Sequence, residues 1–201
     1  MGRAKRIHPL KGPERDWRGD ISRELKKAER LFVLGVGNRQ RGDDAAGSLC
    51  VRLFKKGVAW RKRRAEALPL ESVRPLRTLS NGASLELQVL DAGEAPESAT
   101  GLIREFRPTH VLIVDAAVGG HQPGTIFIFD KEQIRQEEIS THRLPLFHLV
   151  RYLEKSLGCR VILVGIEPKG VAWGKPISAA VRAAAAHLAA WLGEILTAQR
   201  P

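Results

Sequence analysis

Asp43 and Asp44 stand side by side in the stretch Leu31–Gly47, LFVLGVGNRQRGDDAAG. Two carboxylates just past an apolar run can cap the helix that follows, because Asp accepts from its first free N–H groups. They can also hold a cation, for which carboxylate oxygens are hard donors. Asp115, at the end of the apolar run Val111–Val114, and His142, just ahead of the segment that begins near Pro145, occupy the same kind of position. Asp44, Asp115 and His142 together would make an oxygen–nitrogen set suited to Zn²⁺, Ni²⁺ or Mn²⁺ rather than a structural thiolate site. A histidine near a helix N-terminus is biased towards neutral imidazole, the form that binds metal. The other reading of the same residues is an exposed acid and a loop histidine held by hydrogen bonds. Residue types alone leave both open.

Other chemistries fit the chain less well. Gly35 and Gly37 open like a dinucleotide-binding turn, but the sixth position of that fingerprint is Gln40. The acid pair would also place negative charge where a pyrophosphate should lie. Ser48 lacks the Gly-x-Ser-x-Gly setting of a nucleophile elbow. The two cysteines, Cys50 and Cys159, form no Cys-x-x-Cys pair and have no histidine at zinc-binding spacing, so they read as buried or incidental thiols.

The elements that must position these residues alternate. Leu31–Leu34 reads as a strand buried on both faces, and the segment from Ala45 to about Lys56 as a helix packing back on it. Leu85–Leu90 and Val161–Gly165 read as further strands, and Thr125–Phe129 as a short antiparallel edge strand. Helices are expected from Pro96 to Phe106, from Pro145 to Leu157 and from Pro176 to Thr197, with a weak helical signal over Glu132–Glu138. The pattern predicts an α/β fold: a single three-layer domain with a twisted, mostly parallel sheet of about five strands and helices on both faces. If the first and third strands are neighbours across a switch point, Asp44 and Asp115 share one cleft.

Residues 1–30 read as a basic arm with a short helix, Ile21–Glu29, capped by Asp20. The first 25 or so residues offer little to bury and are expected to be dispensable for the fold, so that a chain starting near Lys26 still melts cooperatively; the α/β domain proper is read as residues 31–201. Residues 57–84, rich in Arg and containing Pro69, Pro75 and Asn81-Gly82, read as an extended connection. No apolar run reaches a membrane span, and the N-terminus lacks the apolar centre of a secretory signal, so a cytoplasmic protein is expected. The net charge of +11, with Arg61-Lys62-Arg63-Arg64 the densest basic run, reads as a solvated basic surface, though such patches can also bind nucleic acid or acidic protein surfaces. With aromatic residues at 5% and no recognition module, specific nucleic-acid binding is not expected. A basic, non-catalytic module that docks an acidic protein is the alternative to an enzyme.

Several motifs in register carry a family resemblance. They are Gly35-Val36-Gly37-Asn38, Gly42-Asp43-Asp44 with Gly47, and Asp91-Ala92-Gly93-Glu94-Ala95-Pro96-Glu97. Leu112-Ile113-Val114-Asp115-Ala116, Pro123-Gly124, Thr141-His142 with Leu144-Pro145-Leu146, and Gly165-Ile166-Glu167-Pro168 follow in order. The chain resembles the [NiFe]-hydrogenase maturation endopeptidases over about residues 31–195, most closely the branch that processes the hydrogenase of formate hydrogenlyase. The resemblance implies removal of a C-terminal extension from a hydrogenase large-subunit precursor after nickel insertion. It implies metal contact at Asp44, Asp115 and His142, with nickel supplied by the precursor and a resident zinc or other divalent ion as an option. Gly37 and Asn38 would shape the cleft, and Asp43 would cap or orient the turn. A monomer is expected. The departures from the family pattern are the basic arm, the long 57–84 connection, and Ala46 where glycine often follows the acids.

Overall fold

The apolar runs become the inner strands of one twisted sheet. The structure, a computed structural model, describes residues 16–65, 75–78, 84–129 and 143–197. Its strands are β1 (Arg30–Val36), β2 (Pro75–Thr78), β3 (Ser84–Gly93), β4 (His110–Ala116), β5 (Ile126–Ile128) and β6 (Arg160–Ile166). They lie in the order β2-β3-β1-β4-β6-β5. The central β3, β1, β4 and β6 are mutually parallel, and an antiparallel strand finishes each edge. The α/β class and the antiparallel β5 are as expected. The sixth strand, β2, lies within the stretch read as a connection. Its proline is the first residue of an edge strand, where a missing N–H is tolerated.

The helices are α1 (Trp17–Leu25), α2 (Ala46–Ala65), α3 (Thr100–Phe106), α4 (Arg143–Ser156) and α5 (Ala179–Thr197). Alternation along β1 sorts the two faces. Leu31 and Val33 join a core with α1, α2 and α5, whereas Phe32, Leu34 and Val36 join a second core with α3 and α4. This makes three layers. α2 runs nine residues beyond its expected end at Lys56, because Arg61-Lys62-Arg63-Arg64 are adequate helix formers but carry no apolar stripe to announce them. α5 is long and apolar enough to cross a membrane by length and composition alone, with a mean hydropathy of 1.2 over Ala179–Leu196. Here Val181, Ala185, Leu188, Leu192 and Leu196 bury its stripe in the core.

The N-terminal helix departs from the arm reading. It starts at Trp17, and Asp16 caps it by accepting from the Arg18 N–H; Asp20 lies inside the first turn. Ile21 and Leu25 are buried, and Trp17 meets Trp191 of α5 edge-on at 4.9 Å between ring centroids. The helix is therefore part of the core rather than separable from it. The expected helix over Glu132–Glu138 lies outside the described residues.

The chain leaves β1 for β3 on one side and leaves β4 for β6 on the other, so the switch point falls between β1 and β4. Three glycines bring α2 down onto that point. A Cβ on Gly47 would lie 2.0 Å from the Val114 carbonyl oxygen and 2.4 Å from that of Val36. A Cβ on Gly35 would lie 2.5 Å from the Gly47 oxygen, and one on Gly37, at φ +139°, 1.8 Å from the Asp44 oxygen. The glycines thus serve close packing between helix and sheet, not approach to a phosphate. Gly47→Ala should cost more than about 3 kcal/mol, because the obstructing atoms are backbone. Gly57→Ala, in the same helix with open space around it, should gain roughly 0.5–1 kcal/mol. Urea melts of the two variants test this contrast.

Candidate active site

Asp44 lies in a 3-10 turn, Gly42–Ala45, that joins β1 to α2, and it is 0% exposed. The turn packs against β4. Asp44 Oδ2 accepts the Asn38 N–H at 3.1 Å. Asp115, also 0% exposed, is the penultimate residue of β4, one beyond Val114, which pairs with Gly35 of β1. Its Oδ1 accepts the Ala116 N–H at 2.8 Å. The sheet therefore brings two fully buried carboxylates to the carboxyl ends of neighbouring strands. His142 lies outside the described residues, immediately before the first residue of α4.

Asp43 has a different task from its neighbour. Its Oδ2 accepts from the N–H groups of Lys169 and Gly170, at 2.8 and 3.2 Å, and its Oδ1 from that of Ser178, at 2.6 Å. The Asp43 N–H in turn donates to the Gly170 oxygen at 3.0 Å, and the Gly174 N–H to the Gln40 oxygen at 2.7 Å. One carboxylate thus pins the loop that follows β6 onto the turn that carries Asp44. The acid caps the approach to α5 rather than its own helix.

Asn38 braces the opposite side. Its Nδ2 donates to Glu94 Oε2 at 2.6 Å, and its Oδ1 accepts the Gln40 N–H at 2.8 Å. Gly37 donates its N–H to the Gly93 oxygen at 2.7 Å. The buried Ser48 hydroxyl is shared between the Gly37 oxygen, at 3.0 Å, and Asp91 Oδ1, at 2.6 Å. That hydroxyl is committed to structure. The end of β3 is thereby tied to the same turn.

Sequence reasoning gave no role to Glu167, which follows β6 and is 5% exposed. Its Oε2 accepts the N–H groups of Gly119 and His121, at 2.7 and 3.2 Å, and fixes the loop leaving Asp115. The available signal was its position, an acid directly after an apolar strand and before Pro168. Burial pushes the Cys50 thiol up to about 12 and raises that of Cys159, so neither is poised as a thiolate nucleophile. His110 is buried, but it begins β4 and so lies at the opposite end of that strand from Asp115.

These features define an open, doubly wound α/β protein with two buried carboxylates at its switch point. The comparisons make the class specific. A family model described as hydrogenase maturation protease matches residues 74–194. The hydrogenase 3 maturation protease of Escherichia coli is 35% identical over 166 residues, covering 80% of this chain and 90% of that one. The crystal structure of the [NiFe] hydrogenase maturation protease HycI from Thermococcus kodakarensis superposes with a TM-score of 0.68 at 28% identity, covering 89% of this chain and 99% of that one. The solution structure of the endopeptidase HycI from Escherichia coli gives a TM-score of 0.59 at 30% identity, covering 82% and 89%. The chain belongs to the hydrogenase maturation protease family.

Asp43→Ala should lower stability by about 2 kcal/mol or more, since hydrogen bonds to a charged acceptor are lost at three donors. It should also free the loop, which limited trypsin digestion would reveal as early cleavage after Lys169. A tryptic pattern like that of the native protein would refute the pinning role.

His110 supplies a pH signature. Burial, the largest influence, lowers its pKa from 6.5, while Glu24 opposes the shift and Arg160 and Lys27 add to it. Below about pH 6.5 the unfolded chain takes up a proton there that the folded chain resists, so stability falls with pH through this window. His110→Gln should flatten the fall between about pH 6.5 and 5 in urea melts, relative to the unsubstituted protein.

Proposed function

We propose that this chain is the endopeptidase that removes the C-terminal extension of a [NiFe]-hydrogenase large-subunit precursor once nickel has been inserted. Family membership supports the peptidase and hydrogenase parts of this reading. The observation that carries the chemistry is the pair of buried carboxylates, Asp44 and Asp115, at the ends of adjacent strands. Two buried carboxylates brought to one place suit a cation between them, because like charges repel.

Asp44, Asp115 and His142 would hold the cation, their oxygen and nitrogen donors matching the preferences of a borderline divalent metal. When bound, such an ion polarises a carbonyl or acidifies water. Nickel arriving in the precursor is part of the substrate, so cleavage would report that insertion is complete. The resident chain does the positioning. The Asn38 N–H orients Asp44, and Glu167 fixes the loop after Asp115. The cytoplasm, where such precursors are matured, is the proposed location.

The test is cleavage of a nickel-loaded precursor, read as the mass of its C-terminus. Asp44→Asn, Asp115→Asn and His142→Ala should each lose more than the about 10–100-fold that removal of an outer-sphere partner costs. Pairs of these changes should cost little more than one, because groups acting on one centre fail together. Near-normal processing by His142→Ala would break the three-residue assignment. Full activity of Asp115→Asn would remove the cleft itself.

A further inference from the structure

The loop pinned by Asp43 displays a side chain that the proposed chemistry does not use. Trp173 is 63% exposed and, with Leu102, is one of the large exposed apolar residues among the described part of the chain. The Arg41 guanidinium lies over its ring at 5.8 Å from the centroid. Arg41 Nε is buried and has no hydrogen-bond partner among the described residues. Arg39, Lys169 and Lys175 are exposed around them. The backbone holds these segments together. Gly174 bonds to Gln40, and Lys169 N–H to the Asp43 carboxylate. The Lys175 Cβ lies 3.7 Å from the position a Cβ would take on Gly42.

The charge is one-sided. Residues Asn38–Gly42 and Pro168–Ile177 contain Arg39, Arg41, Lys169 and Lys175 and no acid. The adjacent acid, Asp43, is turned inward onto backbone donors. An exposed indole over a guanidinium gains little in water, but tryptophan and arginine are the residues on which protein interfaces most depend. Because the loop is already held by several backbone bonds, little further ordering is needed on binding. The surface also adjoins Asp44, since the turn bearing Arg39 and Arg41 donates the Asn38 N–H to it.

We infer that Trp173, Arg39, Arg41, Lys169 and Lys175 form the face on which an acidic, extended segment of the hydrogenase precursor docks beside the cleft. The inference rests on the protease reading above. Carboxylates of that segment meet the three exposed cations and Arg41, while an apolar side chain lies on the indole. A nucleic acid would need a row of stacking rings rather than one.

Two variants test the face with the full chain and a nickel-loaded precursor: Trp173→Ala, and the double change Lys169→Glu with Lys175→Glu. Each should raise KM for the precursor about 10-fold while kcat stays within about 2-fold. For the double variant the defect should shrink to about 3-fold at high salt, where the pairing is screened. An unchanged KM in both variants, with normal processing by the unsubstituted enzyme, overturns the docking face alone. A fall in kcat at constant KM would mean that the loop only supports Asp44, and also overturns it. Failure of the unsubstituted enzyme to process the precursor removes the protease reading and this partner with it. Binding of a single-stranded RNA of about 20 nucleotides that is lost in the double variant, with precursor KM unchanged, would reassign the face to nucleic acid.

Discussion

The site depends on how closely the N-terminus of α2 approaches the sheet. Gly47 rests against the carbonyl oxygens of Val36 and Val114, one at the end of each strand that flanks the switch point. No side chain fits between them. That contact fixes the turn Gly42–Ala45 over β4 and drives Asp44 into the interior, where its carboxylate is oriented by the Asn38 N–H. Interiors are packed too tightly for such an approach to be adjusted by small shifts, so helix, turn and strand ends behave as one unit. Gly35 and Gly37 extend the same fit along β1.

Within that unit two adjacent acids divide the work. Asp43 faces a loop from the far end of the chain and is consumed by backbone donors, whereas Asp44 faces the strand ends. Adjacent residues in a tight turn point different ways, so a doubled acid need not mean a doubled function. Ser48 and Asp91 show the same economy of means on the β3 side. A hydroxyl and a carboxylate that resemble parts of a catalytic device are used to tie Gly37 to the end of β3.

The α/β class and the placement of Asp44 and Asp115 were legible because parallel strands announce themselves as unbroken apolar runs, and acids directly after such runs sit at strand ends. The antiparallel β5 was legible as a short apolar run following the turn at Gly119-Gly120. Three features were not. The end of α2 was hidden because a basic segment has helix propensity without apolar periodicity. β2 was hidden because an edge strand of four residues leaves almost no pattern. The burial of α1 was hidden because two apolar residues and a tryptophan in a polar stretch look like an arm until α5 is seen to supply Trp191 as a partner. The roles of Asp43 and Glu167 depend on contacts with segments distant in sequence, which no local reading contains.

The reach of Asp43 has a consequence for biosynthesis. Its acceptors are used by residues that follow it by 126 to 135 positions. A ribosome adding about 5–20 residues each second delivers those partners many seconds after the β1–α2 turn has left the exit tunnel. Until then the carboxylate has only water to satisfy it, and burial of the turn is opposed by its desolvation. The first strand–helix unit can collapse early, but the turn Gly42–Ala45 cannot reach its final form until Ser178 has been made. The geometry of that turn is thus set by the order of synthesis, waiting on Lys169 and Ser178.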